Sequence, residues 1–374
     1  MNQPSILFLT DGGQDAILAA DRIVGFVEGA RKTIDLAIYD AHFDALKSDS
    51  TDPGNRIIEA INAAEKRGVT VRAVFNDDDG PQGPYPFTHE GRSGPNFLAR
   101  LTNAVPTEGV DGRYDLMHHK YIVRDVAISA NAAVLTGSTN WTRDSFTRME
   151  NAILVVPGQG LANAFTRDFE QLWRKRDVEG SGAFDSEWTT LDYRGAPFRT
   201  RAFFSPGRGR TMSAQIARRV AEARVRIRIC SPVITSTPIL GAVAEVVSDK
   251  RVEIAVVTDG TQMRQVLEQW KSDGRGSWKI PLYRLMQNSG VLAEKRSTPY
   301  APEALHDYMH AKMVVADNWV LTGSFNASHS GEQNAENIVE IESAAFANEC
   351  AQFIDGVHAR YLRPASSPRV RSPT

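Results

Sequence analysis

The beginning of the chain alternates between apolar residues at helical spacing and short apolar runs. Apolar positions recur every three to four residues over residues 15–32 and 55–67, which predicts two helices. A short apolar run follows each of them, at residues 33–40 and 69–75, and both predict β-strands. Strands separated by a helix and short connections are typical of an α/β sheet.

The pattern continues after a stretch rich in Asp, Gly and Pro at residues 76–96, which predicts a long loop beside a functional site. Short apolar runs predict buried strands at residues 121–123, 133–136 and 152–156. Residues 161–173 then have helical spacing. Residues 174–201 have weak periodicity, and we interpret them as a connector.

The same order of elements then starts again. Helices are predicted at residues 212–223, 238–247, 261–272 and 344–361, strands at 225–230, 252–257 and 338–341, and a loop at 287–307. The fold class is therefore α/β, with two similar α/β domains, each a mixed β-sheet flanked by helices. The predicted boundaries are an N-terminal half at 1–176, a linker at 177–201, a C-terminal half at 202–362 and a disordered tail at 363–374.

Composition changes this picture little. The 374 residues are 42% hydrophobic and 24% charged, as in ordinary globular proteins, and the net charge is −2. A chain without an overall positive charge does not attract nucleic acid through its global field, although a local basic groove stays open. Cys230 and Cys350 lie in different halves and lack metal-type spacing, which argues against a zinc site or a disulfide framework and favours a reducing compartment.

The first residues contain a four-residue apolar run without a preceding basic region, so we expect no signal peptide. No window of the sequence approaches 18 consecutive apolar residues, so we expect no membrane span and no stable membrane insertion. Together these observations predict a cytoplasmic protein.

A polar pattern occurs twice, once towards the end of each predicted half. The first copy contains His118, Lys120, Asp125, Gly137, Ser138, Asn140 and Glu150. The second copy contains His310, Lys312, Asp317, Gly323, Ser324, Asn326 and Glu336. In both copies the Glu comes 13 positions after the Gly. A single His-x-Lys is expected by chance, but a repeated set of this kind indicates a shared function.

The residue types in this pattern suit the chemistry of an anion. His and Lys two positions apart on a strand project from the same face, and the Lys charge keeps the imidazole neutral and able to attack. The Ser hydroxyl and the Asn amide add hydrogen-bond donors. The two Glu are candidates to bind the far nitrogen of an imidazole and fix its tautomer. The two Asp end their strands, and we expect them to be structural.

Phosphodiester cleavage uses two such histidines, because one attacks phosphorus while the other protonates the leaving alkoxide. Two facing halves would supply both, with lysines and asparagines stabilising the phosphoryl oxygens and no metal or cofactor required. We expect His119, on the opposite strand face, to be a bystander, and Trp141 and Phe146 to be packing residues.

The repeated H-x-K-x4-D followed by G-S-x-N resembles the phospholipase D superfamily with its HKD motifs, over nearly the whole chain. The resemblance implies two α/β domains related by a pseudo-two-fold, one active site between them in a single chain, and a covalent phosphohistidine intermediate. It implies that His118 is the nucleophile and His310 the general acid. It also implies that Lys120, Lys312, Asn140 and Asn326 hold the phosphate, that Ser138 and Ser324 support them, and that Glu150 and Glu336 orient the imidazoles.

The substrate is less well defined. The leading interpretation is a hydrolase that removes or transfers a phospholipid headgroup, with residues 83–87 and Trp141 as an apolar rim. The alternative is a metal-independent nuclease, with a basic groove formed by Arg201, Arg208, Arg210, Arg218 and Arg219. A non-catalytic binding scaffold is disfavoured, because it would be free to lose either histidine. The partner is thus a phospholipid or a nucleic acid; the oligomeric state is open.

Overall fold

The computed structural model describes residues 3–43, 51–77, 95–112, 115–301 and 304–362. The strands of the first half are β1 (Ser5–Leu9), β2 (Thr33–Ile38), β3 (Ala41–His42), β4 (Thr70–Asp77), β5 (Thr107–Asp111), β6 (Lys120–Arg124), β7 (Ala133–Gly137), β8 (Trp141–Thr142) and β9 (Asn151–Pro157). Its helices are α1 (Ala16–Glu28), α2 (Pro53–Lys66), α3 (Pro95–Leu98), α4 (Arg143–Thr147) and α5 (Gln159–Lys175).

The second half repeats this plan. Its strands are β10 (Thr189–Tyr193), β11 (Ala196–Ser205), β12 (Arg226–Cys230), β13 (Glu253–Asp259), β14 (Leu292–Lys295), β15 (Met313–Ala316), β16 (Trp319–Gly323) and β17 (Glu336–Glu342). Its helices are α6 (Gly209–Glu222), α7 (Thr237–Asp249), α8 (Gly260–Asp273), α9 (Ile280–Asn288), α10 (His329–Gln333) and α11 (Ala344–Tyr361).

The two large sheets have matching strand orders. The first runs β1-β9-β7-β6-β2-β4-β5, and the second runs β10-β11-β17-β16-β15-β12-β13-β14. Apart from the added strand β10, each strand of one sheet has a counterpart in the other. The directions also match, since β2, β4 and β5 are parallel, as are β12, β13 and β14. The predicted fold class, two mixed α/β domains, is confirmed.

The core is arranged in layers. One hydrophobic cluster contains residues of both sheets together with the inward sides of α5 and α11, so these two helices join the halves. A second cluster packs α1 and α2 on the outer face of the first sheet, and a third packs α6, α7, α8 and α9 on the second sheet. The strands that carry the repeated motifs are thereby held rigidly from both sides.

The aspartates of the two motifs fix equivalent turns. The carboxylate of Asp125 accepts from the backbone N–H groups of residues 31, 32 and 33, at 2.6–2.9 Å. Asp317 accepts in the same way from residues 224, 225 and 226, at 2.8–3.0 Å. Each carboxylate satisfies the donors just before β2 or β12, so its role is to anchor the strand beside the motif.

The connector predicted from weak periodicity contains regular structure. Residues 189–205 form the hairpin β10–β11, and β11 pairs with β17 at the edge of the second sheet. The strand was not recognised from the sequence because arginines alternate along β11, where Arg199 pairs with Glu342 and Arg201 with Glu340. The predicted linker 177–201 thus supplies an added strand and part of the counterpart of β1.

The predicted loop at 287–307 also differs, because it contains β14, which pairs in parallel with β13. This strand is short and ends in Glu294 and Lys295, so its sequence resembles that of a polar loop. The predicted loop at 76–96 lies mostly outside the described residues, as do residues 83–87 and the predicted tail at 363–374. Among the described residues, no helix combines the length and apolar content that a membrane crossing requires. Cys230 and Cys350 are buried free thiols.

Candidate active site

The two motif histidines meet where the halves touch. His118 lies just before β6, and its backbone N–H donates to the carbonyl of Ala335 in the other half at 2.9 Å. His310 lies just before β15, and its N–H donates to the carbonyl of Glu150 at 3.1 Å. The start of each motif is therefore fastened by a backbone bridge to the opposite half, which brings the two imidazoles to one place.

A cavity of about 250 Å³ contains both imidazoles. Its walls include Asn140 and Asn326, one from each motif, so the structure brings together the predicted histidines and asparagines. Asn140 donates to Asp40, another lining residue, at 3.4 Å. Aromatic rings complete the wall: Tyr39, Tyr300, His306 and Tyr308. The sequence did not single out these rings, since they belong to neither motif.

The motif lysines lie behind the histidines. The Nζ of Lys120 donates to the carbonyl of His118 at 2.6 Å, and that of Lys312 donates to the carbonyl of His310 at 2.7 Å. Both lysines are buried, and Lys120 also lies 4.7 Å from the ring centre of Tyr39. Burial, followed by the nearby charge of Lys120, lowers the pKa of Lys312 well below its usual value. Bound anionic oxygens would favour the charged form of Lys312 and oppose this lowering of its pKa.

Glu336 of the second half contacts the imidazole of His118 in the first half. Its Oε1 lies 2.9 Å from Nδ1 of His118, and the carboxylate is fully buried. Burial raises the pKa of Glu336 to about 8, and the charges of Lys120 and Lys312 oppose that rise. A carboxyl group at this distance holds the imidazole with Nε2 directed away from the contact.

His310 has a different partner. Its Nδ1 lies 3.1 Å from Oδ1 of Asn151, an amide rather than a carboxylate. Burial, followed by the positive charges of Lys312 and Lys120, lowers the pKa of His310 well below its usual value. Both effects favour the neutral form of the imidazole. Asn151 was not among the predicted site residues, because the spacing of the motif placed its neighbour Glu150 at the position equivalent to Glu336.

Glu150 does not lie against His310. Its Oε2 pairs with Nζ of Lys295 at 2.8 Å, and its Oε1 accepts from Tyr361 and from the backbone of Asp11. Lys295 also contacts Asp11 at 3.3 Å. These contacts form a buried ionic cluster between the halves. The prediction that Glu150 orients an imidazole does not match this geometry.

The strand register explains the difference. Gly137 pairs with Ile153 in the first sheet, whereas Gly323 pairs with Ile338 in the second. The separations are 16 and 15 residues, so the first copy contains one extra residue between the turn and the strand. The structural counterpart of Glu336 is consequently Asn151, the first residue of β9. Glu150 falls one position earlier, and side chains of adjacent strand residues face opposite ways.

The motif serines face the strands rather than the cavity. Ser138 donates to Oδ1 of Asn151 at 2.8 Å and accepts from the backbone N–H of Ala152 at 3.0 Å. Ser324 accepts from the backbone N–H of Asn337 at 3.0 Å. Both side chains are buried. They hold the Gly-Ser turn against β9 or β17, so any support they give to a phosphate is indirect.

His119 points away from the cavity into the core. Its Nε2 lies 3.1 Å from Oδ2 of Asp168, and its Nδ1 lies 3.2 Å from Nδ2 of Asn337. Trp141 and Phe146 are buried as well, and Trp141 packs edge-on against Phe97. Trp141 therefore does not form an apolar rim. In the part of the chain that the structure describes, no cluster of three or more His, Cys, Asp or Glu side chains could hold a metal ion.

The arginines that favoured a nucleic-acid groove are mostly paired with acids. Arg201 and Arg219 both pair with the buried Glu340 at 2.8 Å. Arg208 pairs with Asp185, and Arg218 with Glu222. Arg210 borders a different cavity. The charges of four of the five are thus compensated within the protein, and none of the five lines the active-site cavity.

The model of a known protein family matches most of the chain. The family model described as "Cardiolipin synthase, PLD-like domain" matches residues 23–173 and 216–357, one segment in each half. The mitochondrial cardiolipin hydrolase of Xenopus laevis is 26% identical over 163 residues, which is 42% of this chain and 63% of that protein. That of Xenopus tropicalis is 29% identical over 125 residues, 32% of this chain and 50% of that protein. The matches span between half and two thirds of these relatives.

A solved structure has the same architecture over nearly the whole length. The phosphatidylserine synthase of Haemophilus influenzae Rd KW20 superposes with a TM-score of 0.62, covering 96% of this chain and 88% of that chain. The sequence identity is 12%, so this similarity concerns the fold. Both halves of the present chain are included, in agreement with the matching strand orders of the two sheets.

Proposed function

The chain belongs to the family of phospholipase D-like domains, and on that premise we propose that it is a phosphodiesterase that forms a phosphohistidine on His118. The observation that carries this proposal is the convergence of His118, His310, Asn140 and Asn326 on one cavity, with a lysine behind each histidine. A phosphodiester held there would have one imidazole on each side, as an in-line displacement requires.

In the first step Nε2 of His118 attacks phosphorus, and the P–O bond to the leaving group breaks. The leaving oxygen takes a proton from His310, which becomes neutral. The ionised form of Glu336, 2.9 Å away, balances the positive charge on the modified His118 ring, so the first step requires this carboxyl to be deprotonated. The amides of Asn140 and Asn326 donate to the phosphoryl oxygens, and the charges of Lys120 and Lys312, behind the histidines, stabilise those oxygens from a greater distance.

In the second step the neutral His310 accepts a proton from water, and the hydroxide attacks phosphorus as the P–N bond breaks. His118 is released, and His310 is again protonated for the next cycle. An alcohol in place of water would give transfer instead of hydrolysis. Every proton is held by a side chain of the cavity, so we expect activity to persist in EDTA.

Among phosphodiesters, we propose a phospholipid as the substrate class. None of the described residues that line the cavity is a lysine or an arginine, and four of the five candidate arginines are paired with acids. Binding of a nucleic-acid strand depends on cations along its backbone. Two of the proteins to which the chain is similar, a cardiolipin hydrolase and a phosphatidylserine synthase, are named for phospholipids, which supports the same choice.

The test compares substrates for the full-length protein in EDTA. Vesicles of phosphatidylcholine or of cardiolipin should release a water-soluble headgroup or phosphatidic acid, whereas plasmid DNA should remain intact. DNA nicking without lipid turnover would overturn the phospholipid assignment and establish the nuclease. Loss of all activity in EDTA would overturn the metal-free mechanism.

The mechanism is tested with His118→Ala and His310→Ala. Each should reduce turnover at least about 10³-fold, and His118→Ala should also prevent formation of an acid-labile phosphoenzyme. His329→Ala is the matched control, because this side chain is exposed and belongs to a different cavity. Full activity in either active-site variant would contradict the two-histidine mechanism.

A further inference from the structure

The two active-site histidines are held by chemically different partners at equivalent positions. Glu336 begins β17 and contacts Nδ1 of His118, whereas Asn151 begins β9 and contacts Nδ1 of His310. The remainder of the surroundings is closely repeated, including the lysine bonded to each histidine carbonyl. The exchange of a carboxylate for an amide is therefore a chemical asymmetry built into an otherwise symmetric site.

Resting on the function proposed above, we propose that Asn151 is a positioning residue that makes His310 the proton donor. A carboxylate stabilises a positively charged imidazole, which suits a ring that must carry a phosphoryl group. A neutral amide holds the ring through the same nitrogen without stabilising its charge. His310 therefore gives up its proton to a leaving alkoxide more readily than His118 would.

The orientation of the Asn151 amide is fixed by its own contacts. Its Nδ2 donates to the backbone carbonyl of Ser145 at 3.2 Å, and its Oδ1 accepts from Ser138 at 2.8 Å. The oxygen consequently faces His310 and accepts the proton on Nδ1. This leaves Nε2 of His310 as the position from which a proton is donated.

The other charged groups around His310 reinforce this role. Lys312 follows His310 by two residues, just before β15, and Lys120 lies at the start of β6; both charges favour loss of a proton from the ring. Glu336 lies closer to His118, and Asp259 accepts from the backbone of Met309 rather than from the imidazole. The same cavity, where the anionic substrate would bind, is lined by Asp40, His118 and His306 and by three tyrosines, Tyr39, Tyr300 and Tyr308. The negative charge of the bound phosphodiester would raise the pKa of His310, so that the ring takes up a proton from water before the reaction.

The experiment compares two leaving groups in single turnover. An alkyl phosphodiester needs a proton donor, whereas a nitrophenyl phosphodiester does not. For Asn151→Ala, formation of the phosphoenzyme should slow about 100-fold with the alkyl substrate and only a few-fold with the nitrophenyl substrate. The nitrophenyl burst also reports that the variant is folded and that the nucleophile works.

A second variant tests the effect of a negative charge on the group that contacts His310. Asn151→Asp places a carboxylate against His310 and should move the alkaline limb of the alkyl pH–rate profile up by about one unit. As the contrast, Glu336→Gln should slow the burst with both leaving groups to a similar degree, because it acts on the nucleophile. Equal slowing of both substrates in Asn151→Ala, or an unmoved alkaline limb in Asn151→Asp, would overturn the inference. Absence of both a phosphoenzyme and phosphodiester turnover in the unmodified protein would instead refute the proposed function.

Discussion

Glu336 Oε1 lies 2.9 Å from His118 Nδ1, and the two residues belong to different halves of the chain. The same crossing relates Asn151 of the first half to His310 of the second. Each half thus supplies an imidazole and the group that orients the imidazole of the other half. A half that folded alone would have a histidine without its partner, so the site depends on the whole chain.

The Glu336 contact predicts a loss of activity without a loss of fold. In Glu336→Gln, turnover should fall about 10²–10⁴-fold, because an amide cannot balance the positive charge on His118 during attack. Turnover of a chromogenic phosphodiester together with far-UV circular dichroism measures both properties. Glu150→Gln is the control matched by sequence spacing, and it should retain most of its activity per folded molecule. If the two variants lost activity equally, the assignment of separate roles to these glutamates would be wrong.

The raised pKa of Glu336, about 8 in the folded protein against 4.5 in the unfolded chain, makes stability depend on pH. Its contribution to stability is fully present below pH 4.5 and is lost as the pH rises through about 8, because the folded state disfavours the ionised carboxylate. Glu336→Gln removes this loss. The variant should therefore exceed the unmodified protein in free energy of unfolding by about 4–5 kcal/mol at pH 9, with little difference at pH 4.5. Urea unfolding of both proteins at both pH values measures this difference. If the difference between variant and unmodified protein did not change with pH, the raised pKa of Glu336 would be contradicted.

Much of the fold could be predicted from the sequence, since apolar periodicity reports which residues face a core. The elements that were missed carry charges whose partners lie far away in sequence. Arg201 in β11 is matched by Glu340, and Lys295 in β14 is matched by Glu150. Such strands look polar until the tertiary contacts are known, so periodicity could not identify them.

The site shows a similar limit. The motif spacing located the two histidines and asparagines at one cavity, because duplication of a polar set has few structural causes. It gave the wrong counterpart for Glu336, however. Equal spacing of Glu150 and Glu336 from their glycines concealed one extra residue before β9, and only the pairing of Gly137 with Ile153 reveals it. Strand register depends on contacts across the sheet, which local spacing does not report.

The buried pair of Lys295 and Glu150 predicts an effect on stability rather than on chemistry. Lys295→Met should lower the free energy of unfolding by about 3–5 kcal/mol, because it leaves the fully buried Glu150 carboxylate without its cation. Thermal or urea unfolding measures the change. The double variant Lys295→Met/Glu150→Gln should recover a large part of the loss, since it leaves no buried carboxylate at position 150 without a cation. Failure of the double variant to recover would show that the two side chains do not act as a pair.

Asp317 gives a prediction with the opposite pH dependence. Burial alone would raise its pKa, but the backbone N–H donors of residues 224, 226 and 225 outweigh burial and lower it. Its stabilisation is therefore present above its unfolded pKa of 3.8 and is lost as the pH falls through the lower folded value. Asp317→Asn should cost about 1–3 kcal/mol at pH 7, because an amide cannot accept from all three donors.

The difference between Asp317→Asn and the unmodified protein should shrink as the pH falls below about 4, where the native carboxylate also becomes protonated. Urea unfolding at pH 7 and at pH 3 measures this convergence. Turnover per folded molecule at pH 7 should stay close to that of the unmodified protein, because Asp317 anchors the turn before β12 and is not among the residues that line the cavity. A large loss of turnover with unchanged stability would instead place this aspartate in the reaction.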